Sequence, residues 1–506
     1  MPTTTTHSRR RGPPHTAAPA QGGGSELLDL EQAITALKTT RQTFYRWLRS
    51  GKLKGMKVGR QWRFYKADVE RFLKGEEPVL ESGVSLAPLL KQLQQCALEY
   101  HLKNLPAAKE ANTATAVDLM IALACGAHAS GLHLAPYSQG PGQVATLRFR
   151  IDGVLRTIAE MELRLLKPLV DRWKTMANCD LHERNKPQDG RIEWEVGGHT
   201  HDLRISFLPT LFGESLTVRL LSAETLSFDL RNMGLAPQNL QRLEKALCLP
   251  WGLILVTGPT GSGKTTMLYS CLTRCASPAL KIITIEDPVE YVLPGILQMV
   301  VRQQHGVTCV TALRAILRQD PDVILVGEIP NLETLEGCQQ AALTGHLVLT
   351  TLHADEAVNA LQRMVDMGTE PFLIGEAVKL IMAQRLVRKL CPHCSRKAEL
   401  SASQRTEVEA LVQRNGLKPE DLQHQFRAPV GCPRCVKTGF RGRMPIAETL
   451  VVTPELVGAL SRKAAIPELR ALAIARGMTT LIGDGLLKAG AGQTTLEEVL
   501  RHTPGN

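Results

Sequence analysis

Eight residues, Gly258-Pro259-Thr260-Gly261-Ser262-Gly263-Lys264-Thr265, limit what this chain can fold into more than any other stretch. They follow an apolar run, Leu253–Val256, that reads as a strand, and they open a helical pattern over Thr265–Leu272. Strand, glycine-rich loop and helix in that order form a P-loop. Glycines let backbone N–H groups turn inward onto phosphate oxygens, and the helix N-terminus adds a favourable dipole. In such a loop Lys264 reaches the β- and γ-phosphates of ATP, and the Thr265 hydroxyl is placed to ligate Mg2+.

Hydrolysis needs carboxylates as well. Two segments supply them at strand ends: Ile283-Thr284-Ile285-Glu286-Asp287, stopped by Pro288, and Val323-Ile324-Leu325-Val326-Gly327-Glu328. Ligands of open α/β sheets bind beyond the carboxyl ends of the strands, so acids there can hold a metal through water or orient a nucleophilic water. A third strand, Leu347–Leu352, carries His346 before it and His353 after it; a histidine beside a strand is more often structural than phosphate-binding. From about Asn239 onward strands alternate with helices, the pattern of a parallel sheet with crossover helices. The fold class is therefore α/β.

The net charge of +11 is concentrated: residues 1–75 hold 15 Lys/Arg against 5 Asp/Glu, and the remainder is nearly balanced. Such a block favours an anionic partner, most simply nucleic acid. No run approaches the roughly 18 apolar residues needed to span a bilayer, and the N-terminus has no apolar signal core, so a cytoplasmic location is expected. Twelve cysteines in that context read as thiols.

Residues 1–25, rich in Thr, Pro, Ala and Gly, are expected to be a disordered tail. Asp29 with Gln32 forms a helix-starting capping box for about Leu30–Leu37; Thr40 starts a second helix through Phe44, Tyr45 and Trp47. A hairpin over Lys57–Phe64 turns at Gly59-Arg60 and leads into a helix at Ala67–Leu73. Residues 76–112 read as a linker with one helical stretch near Leu89–Leu102. Over 113–225 a helix precedes strands at Leu147–Ile151, Ile192–Val196, Leu203–Phe207 and Leu216–Leu220.

Gly258–Thr266, Ile282–Tyr291, Leu317–Ile329 and Thr344–His353 resemble, in order, the Walker A, Asp box, Walker B and His box of the secretion ATPase superfamily, which powers type II secretion and type IV pilus assembly. Gln188-Asp189-Gly190-Arg191, Leu203-Arg204-Ile205-Ser206 and Arg148–Gly153 match its N-terminal half-domain, and Ala383–Arg388 the segment leading into its metal-binding insert. The resemblance implies an α+β half-domain at 113–225, a RecA-like ATPase domain at 226–390, an insert at 391–442 and a helical region at 443–506. It implies a hexameric ring, ATP between the half-domains, and an inner-membrane platform protein as partner at the cytoplasmic face. Glu328 then orients or deprotonates water, supported by Glu286 and Asp287; His346 and His353 sense phosphate. Arg191, Arg204 and Arg219 are the candidates to reach the γ-phosphate across the cleft, with a solvated strand arginine as the alternative. Thr266 completes the nucleotide-binding set.

Two departures stand out. The family follows its Walker B glutamate with a hydrophobic residue and Arg-Asp, whereas here Ile329-Pro330-Asn331 follow. Its Ala-Ser-Asp-Ile-His-Ile-Glu-Pro stretch becomes Ala129–Pro136, with Gly131 and Ala135 at the two acidic positions. ATP binding should survive both, while catalytic rate and subunit communication are the properties they touch.

Cys391-x2-Cys394 and Cys432-x2-Cys435, 37 residues apart, have the make-up of a closed four-thiolate Zn2+ site, with free thiols as the alternative. Lys389, Arg396, Arg434 and Lys437 would offset its charge. Residues 26–75 resemble the excisionase and MerR-type winged helix-turn-helix, with Thr40–Arg46 as recognition helix and Lys57–Arg63 as wing. Duplex DNA is the partner that resemblance implies, and a protein or acidic membrane surface is the alternative. A second function class stays open on this basis, a DNA-binding regulator with a nucleotide-gated ATPase body.

Overall fold

The computed structural model describes residues 27–41, 43–44, 56–58, 61–66, 69, 85–102, 110–139, 142–196, 199–222 and 228–503. The N-terminal module comprises β1 (Leu27–Asp29), α1 (Leu30–Ala36), β2 (Met56–Val58) and β3 (Gln61–Tyr65), with antiparallel order β1-β3-β2. The expected capping box is present: Gln32 N donates to Asp29 Oδ1 at 2.8 Å and Asp29 N to Gln32 Oε1 at 2.8 Å. Ala33, Phe44, Phe64 and Val69 close a small core, the two rings edge-to-face at 5.2 Å. The hairpin turn at Gly59-Arg60, most of the helix expected at Ala67–Leu73, the tail at 1–25 and most of the second helix lie outside the described residues.

Next come α2 (Ala87–Glu99), α3 (Thr113–Gly126), β4 (Ala129–Gln139), β5 (Gly142–Ile151), β6 (Val154–Glu162), α4 (Leu166–Met176), β7 (Gln188–Val196), β8 (His199–Thr210) and β9 (Gly213–Ser222). The strands form one antiparallel sheet, β6-β5-β4-β9-β8-β7, and the helices share a core with it. The linker assignment for 76–112 needs correction here. Leu89, Leu93 and Ala97, four apart on α2, are buried in that core, and Gln92 exchanges hydrogen bonds with the Glu160 backbone at 3.0 and 3.1 Å. This stretch therefore contributes a structural helix to the half-domain.

The ATPase part follows: α5 (Pro237–Leu247), β10 (Gly252–Thr257), α6 (Lys264–Cys275), β11 (Ile282–Glu286), β12 (Leu297–Val300), α7 (Cys309–Ile316), β13 (Val323–Val326), α8 (Leu332–Leu343), β14 (Leu347–Leu352), α9 (Ala357–Asp366), α10 (Pro371–Ala377) and β15 (Val378–Leu390). The cysteine module holds β16 (Arg396–Lys397), α11 (Ala402–Arg414) and β17 (Arg427–Ala428). The chain then returns as β18 (Phe440–Val451) and ends in α12 (Pro454–Ser461), α13 (Ile466–Ala475), α14 (Leu481–Gly490) and α15 (Leu496–His502). Seven strands order as β12-β11-β13-β14-β10-β15-β18, parallel apart from the last pair. Separate apolar clusters cover the two faces. The 443–506 region accordingly begins as a strand of the central sheet, and its helices come after.

Glu448, on β18, is buried where two helices start: Ala357 N of α9 donates to Oε1 at 2.5 Å and Leu481 N of α14 to Oε2 at 3.1 Å. Burial pushes its carboxyl up to about 7, against the opposing pull of those N–H groups. The folded state thus keeps a proton that the unfolded chain releases from about pH 4.5, so stability falls as pH rises from 4.5 to 7. The full span is worth at most about 3 kcal/mol. Glu448→Gln is expected to flatten that window: the gap in thermal midpoint between pH 5 and pH 7.5 should shrink relative to wild type. An unchanged gap contradicts the assignment.

Candidate nucleotide site and four-cysteine cluster

The loop after β10 adopts the strained backbone its glycines permit, with φ of +146° at Gly258, +79° at Gly261 and +86° at Gly263. Space also demands glycine. A Cβ at Gly258 would lie 2.5 Å from Gln384 O, and one at Gly263 would lie 2.8 Å from Gln384 Nε2. Gly263 starts α6 with no side-chain cap, which leaves first-turn N–H groups for an anion. Ser262 Oγ is buried with no partner, and Thr265 is exposed beside it. Lys264 Nζ donates to Gly258 O at 2.8 Å and Pro259 O at 3.0 Å; burial lowers its pKa and the Glu328 carboxylate counters that. Cradle, lysine and hydroxyl together fit a nucleotide triphosphate with a hard cation.

Glu328 follows β13 and meets His353, which follows β14, at 3.5 Å between Oε2 and Nε2. Thr351 Oγ1 donates to Gly327 O at 2.7 Å and Ile329 N to Thr351 O at 3.0 Å, tying the two strand tips together. Thr257 Oγ1, at the tip of β10, lies 2.7 Å from Leu352 O and accepts Ala354 N–H at 2.9 Å. Asp287 is exposed at the tip of β11. Cys309, heading α7, lies within the field of both Glu328 and Asp287, and these add to burial in pushing its thiol up.

Two expected site residues are placed elsewhere. His346 precedes β14 at the amino edge of the sheet, where its Nδ1 lies 2.9 Å from Ala341 O. The six residues of β14 separate it from His353 by roughly 20 Å. A strand has two ends, and only one faces the P-loop. Glu286 points inward: it is buried, takes hydrogen bonds from Thr284 Oγ1 at 2.6 Å, Gln298 Nε2 at 3.1 Å and the Tyr269 hydroxyl, and so anchors β11 to α6.

The three arginines stand side by side. Arg191 pairs with Arg204, and Arg204 with Arg219, in the register of β7, β8 and β9. Arg204 crosses the cleft, donating from Nη2 to Val289 O at 3.2 Å with Nη1 3.5 Å from Glu290. Arg191 Nε donates to Asp202 at 2.6 Å. Gly131 sits opposite both Arg219 and Arg150, so the family's acid is missing between these two arginines, at the end of the row.

Sequence reading missed Gln384 and Arg385 as site supports. Gln384 Nε2 donates to Ser262 O at 2.7 Å, and Arg385 bonds Asp355 at 2.8 Å. Polar residues inside an otherwise apolar strand were the available signal. The Walker B departure has a structural answer: Asn331 caps α8, accepting from Thr334 N at 3.0 Å and Thr334 Oγ1 at 2.8 Å.

The cysteines converge. Cys391 and Cys432 sulfurs are 3.9 Å apart, Cys394 and Cys435 3.7 Å, Cys432 and Cys435 3.7 Å, and all four lie within 4.8 Å. A tetrahedron of Zn–S bonds near 2.3 Å has sulfur edges of about 3.8 Å. Backbone N–H groups of Gly431, Cys432 and Gly439 point at the sulfurs from 3.1 to 3.3 Å. Two of the four expected charge-offsetting cations have other partners: Lys437 pairs with Glu99 at 3.4 Å and Arg434 contacts His393 at 3.1 Å.

A P-loop at the carboxyl edge of a mainly parallel sheet, with an arginine from a second half-domain reaching the segment after β11, defines a nucleotide-binding α/β protein of two-part build. Residues 107–501 match the type II/IV secretion system protein family, and the chain belongs to that family. Residues 27–77 match a helix-turn-helix domain. The type II secretion system protein E of Pectobacterium carotovorum subsp. carotovorum is 43% identical over 76% of this chain and 75% of its own length. The type IV pilus assembly ATPase PilB of Myxococcus xanthus is 41% identical over 78% of this chain and 69% of its own. Among solved structures, the pilus retraction motor PilT with bound ADP aligns at TM-score 0.50 and 26% identity, covering 76% of this chain and 96% of its own. The Legionella pneumophila ATPase DotB, at 18% identity and TM-score 0.54 over 78% of this chain and 97% of its own, shares the fold. Among the described residues no helix is long and apolar enough to cross a membrane.

Proposed function

We propose that this chain is the ATP-hydrolysing motor of a type II secretion or type IV pilus assembly machine. In this reading it is RecA-like in its ATPase domain, works as a hexameric ring and drives an inner-membrane platform protein from the cytoplasmic face. The observation that carries the chemistry is the meeting of Glu328 with His353 beyond the strand tips, with Lys264 close enough to feel the Glu328 charge. Lys264 and the loop amides hold the phosphates, and Thr265 with Asp287 would hold a Mg2+ ion, which when bound would supply positive charge against the phosphates. Glu328 takes the proton of the attacking water while His353 steadies it. Arg204 and Arg219, across the cleft, stabilise the charge on the γ-phosphoryl group as it passes to water and ADP leaves. Zn2+ in the four-thiolate shell is structural, since no position is left open for a substrate. The relatives are named for secretion and pilus assembly, and nothing among them supports a duplex-DNA partner; we read residues 26–75 as a docking module.

Lys264→Ala tests the reading directly. Mg-ATP retention by the purified chain should weaken at least about tenfold, because the ammonium's share of phosphate binding is lost. Steady-state phosphate release should fall to background. Equal retention by variant and wild type sinks the motor interpretation.

A further inference from the structure

A second polar groove, of about 650 Å3, opens away from the P-loop where four parts of the chain meet. Its walls are the Asn232–Gly234 segment, the outer ends of β15 and β18, the base of the cysteine module, and Gly492-Gln493 after α14. We propose that this groove binds a phosphate-bearing ligand through Lys389, Arg427 and Arg443, independently of the motor reading.

The charge is one-sided. Three cations line the groove, and no Asp or Glu stands among its described lining residues. Arg427 is held in place: Nε donates to Ser395 Oγ at 3.0 Å and Nη2 to Ser395 O at 2.5 Å. Its stem lies against Gly492, where φ is +69° and a Cβ would sit 2.7 Å from Arg427 Cδ. Lys389 and Arg443 make no ion pair among the described residues. Arg443 stands directly opposite Arg388 across the β15–β18 ladder, a like-charge pairing that costs stability. Arg388 is relieved by Glu498 at 2.6 Å and by stacking on Phe440 at 4.0 Å, whereas Arg443 is not. The register irregularity between Arg388 and Leu390 takes Lys389 out of the ladder at this point.

The cysteine sulfurs offer no competing account of these cations. Among the described residues the sulfurs take their hydrogen bonds from backbone N–H groups of the module itself. A phosphate suits the site: a guanidinium fork and an ammonium both recognise it, and the volume falls within the range of small-molecule pockets. Asn232 and Gln493 add neutral amides for the rest of such a ligand. The groove is about 16 Å along β15 from Gln384, which touches the P-loop, so it is a separate site.

The test uses the full chain with its P-loop saturated by Mg-ADP. Inorganic pyrophosphate is titrated by calorimetry, and phosphatidylglycerol vesicles are offered in co-sedimentation. Lys389→Ala/Arg443→Ala should weaken pyrophosphate binding at least about tenfold if the source is a soluble phosphate, or release the protein from vesicles if it is a lipid headgroup. Mg-ATP hydrolysis within about twofold of wild type reports that the variant is folded, and Arg443→Gln serves as the milder second variant. Capture of neither probe by wild type, or equal capture by wild type and both variants, overturns the proposal.

Discussion

Glu328→Gln should lower the turnover of ATP hydrolysis by about 10²–10⁴-fold while Mg-ATP binding stays within a few-fold of wild type. Glutamine keeps the size and one acceptor oxygen of glutamate, so the contact near His353, 3.5 Å away, can persist. What it cannot do is accept a proton, and it removes the negative charge that favours a charged Lys264. Burial already lowers the Lys264 pKa, and losing the Glu328 charge should shift it further down. Phosphate contacts from the loop amides and Lys264 remain, which keeps KM nearly constant while kcat falls. Steady-state rates of the two proteins side by side decide the matter: equal rates remove Glu328 from the mechanism. Equal rates would also mark the chain as a slow or inactive ATPase, the outcome that Pro330 and Asn331 after Glu328 leave open.

Removing the metal should have the second large effect. Purified protein is expected to hold one Zn2+ per chain, and Cys394→Ser or a strong chelator should lower the thermal midpoint by on the order of 10 °C. The damage should be local at first. The sulfurs hold the start and end of the 391–442 module, whose far side packs Val408, Leu422 and Phe426 against Leu486 and Leu496 of the C-terminal helices. The sheet around β10 has its own apolar clusters. Proteolysis should therefore cut first within 391–442, and nucleotide should still bind. The module also touches the half-domain through Lys437–Glu99 and through Gly442 N to Asp152 at 3.1 Å, so hydrolysis coupled to half-domain movement should suffer more than binding. A fully folded chain with four free thiols and no metal would falsify the four-thiolate site.

Much of this protein was legible before any coordinates. A P-loop is a local motif: its glycines, its lysine and the strand and helix around it lie within some twenty residues, so spacing alone identifies it. The capping box at Asp29 and Gln32, and the Cys-x-x-Cys pairs, are local in the same sense. Family motifs extended that reach to Glu328 and His353, which do meet. The two misplacements have different geometric causes. Glu286 and Asp287 are neighbours in sequence, yet strand alternation sends one into the interior against Tyr269 and leaves the other in solvent. His346 and His353 flank one strand symmetrically, and only chain direction within the sheet tells which end faces the phosphate.

The amino-acid sequence by itself determined the chemistry on offer: a phosphate cradle, acids at strand tips, four thiols and a basic N-terminal module. Each of these follows from residue type and short-range spacing, which backbone geometry translates directly. Only the tertiary structure decided the partners across long separations. It set Arg191, Arg204 and Arg219 in one row. It brought Gln384 under the P-loop from 122 residues away, and drew α2 into the half-domain core. Those choices depend on strand order and register, and a sheet assembles its register from packing among distant segments that no local pattern records.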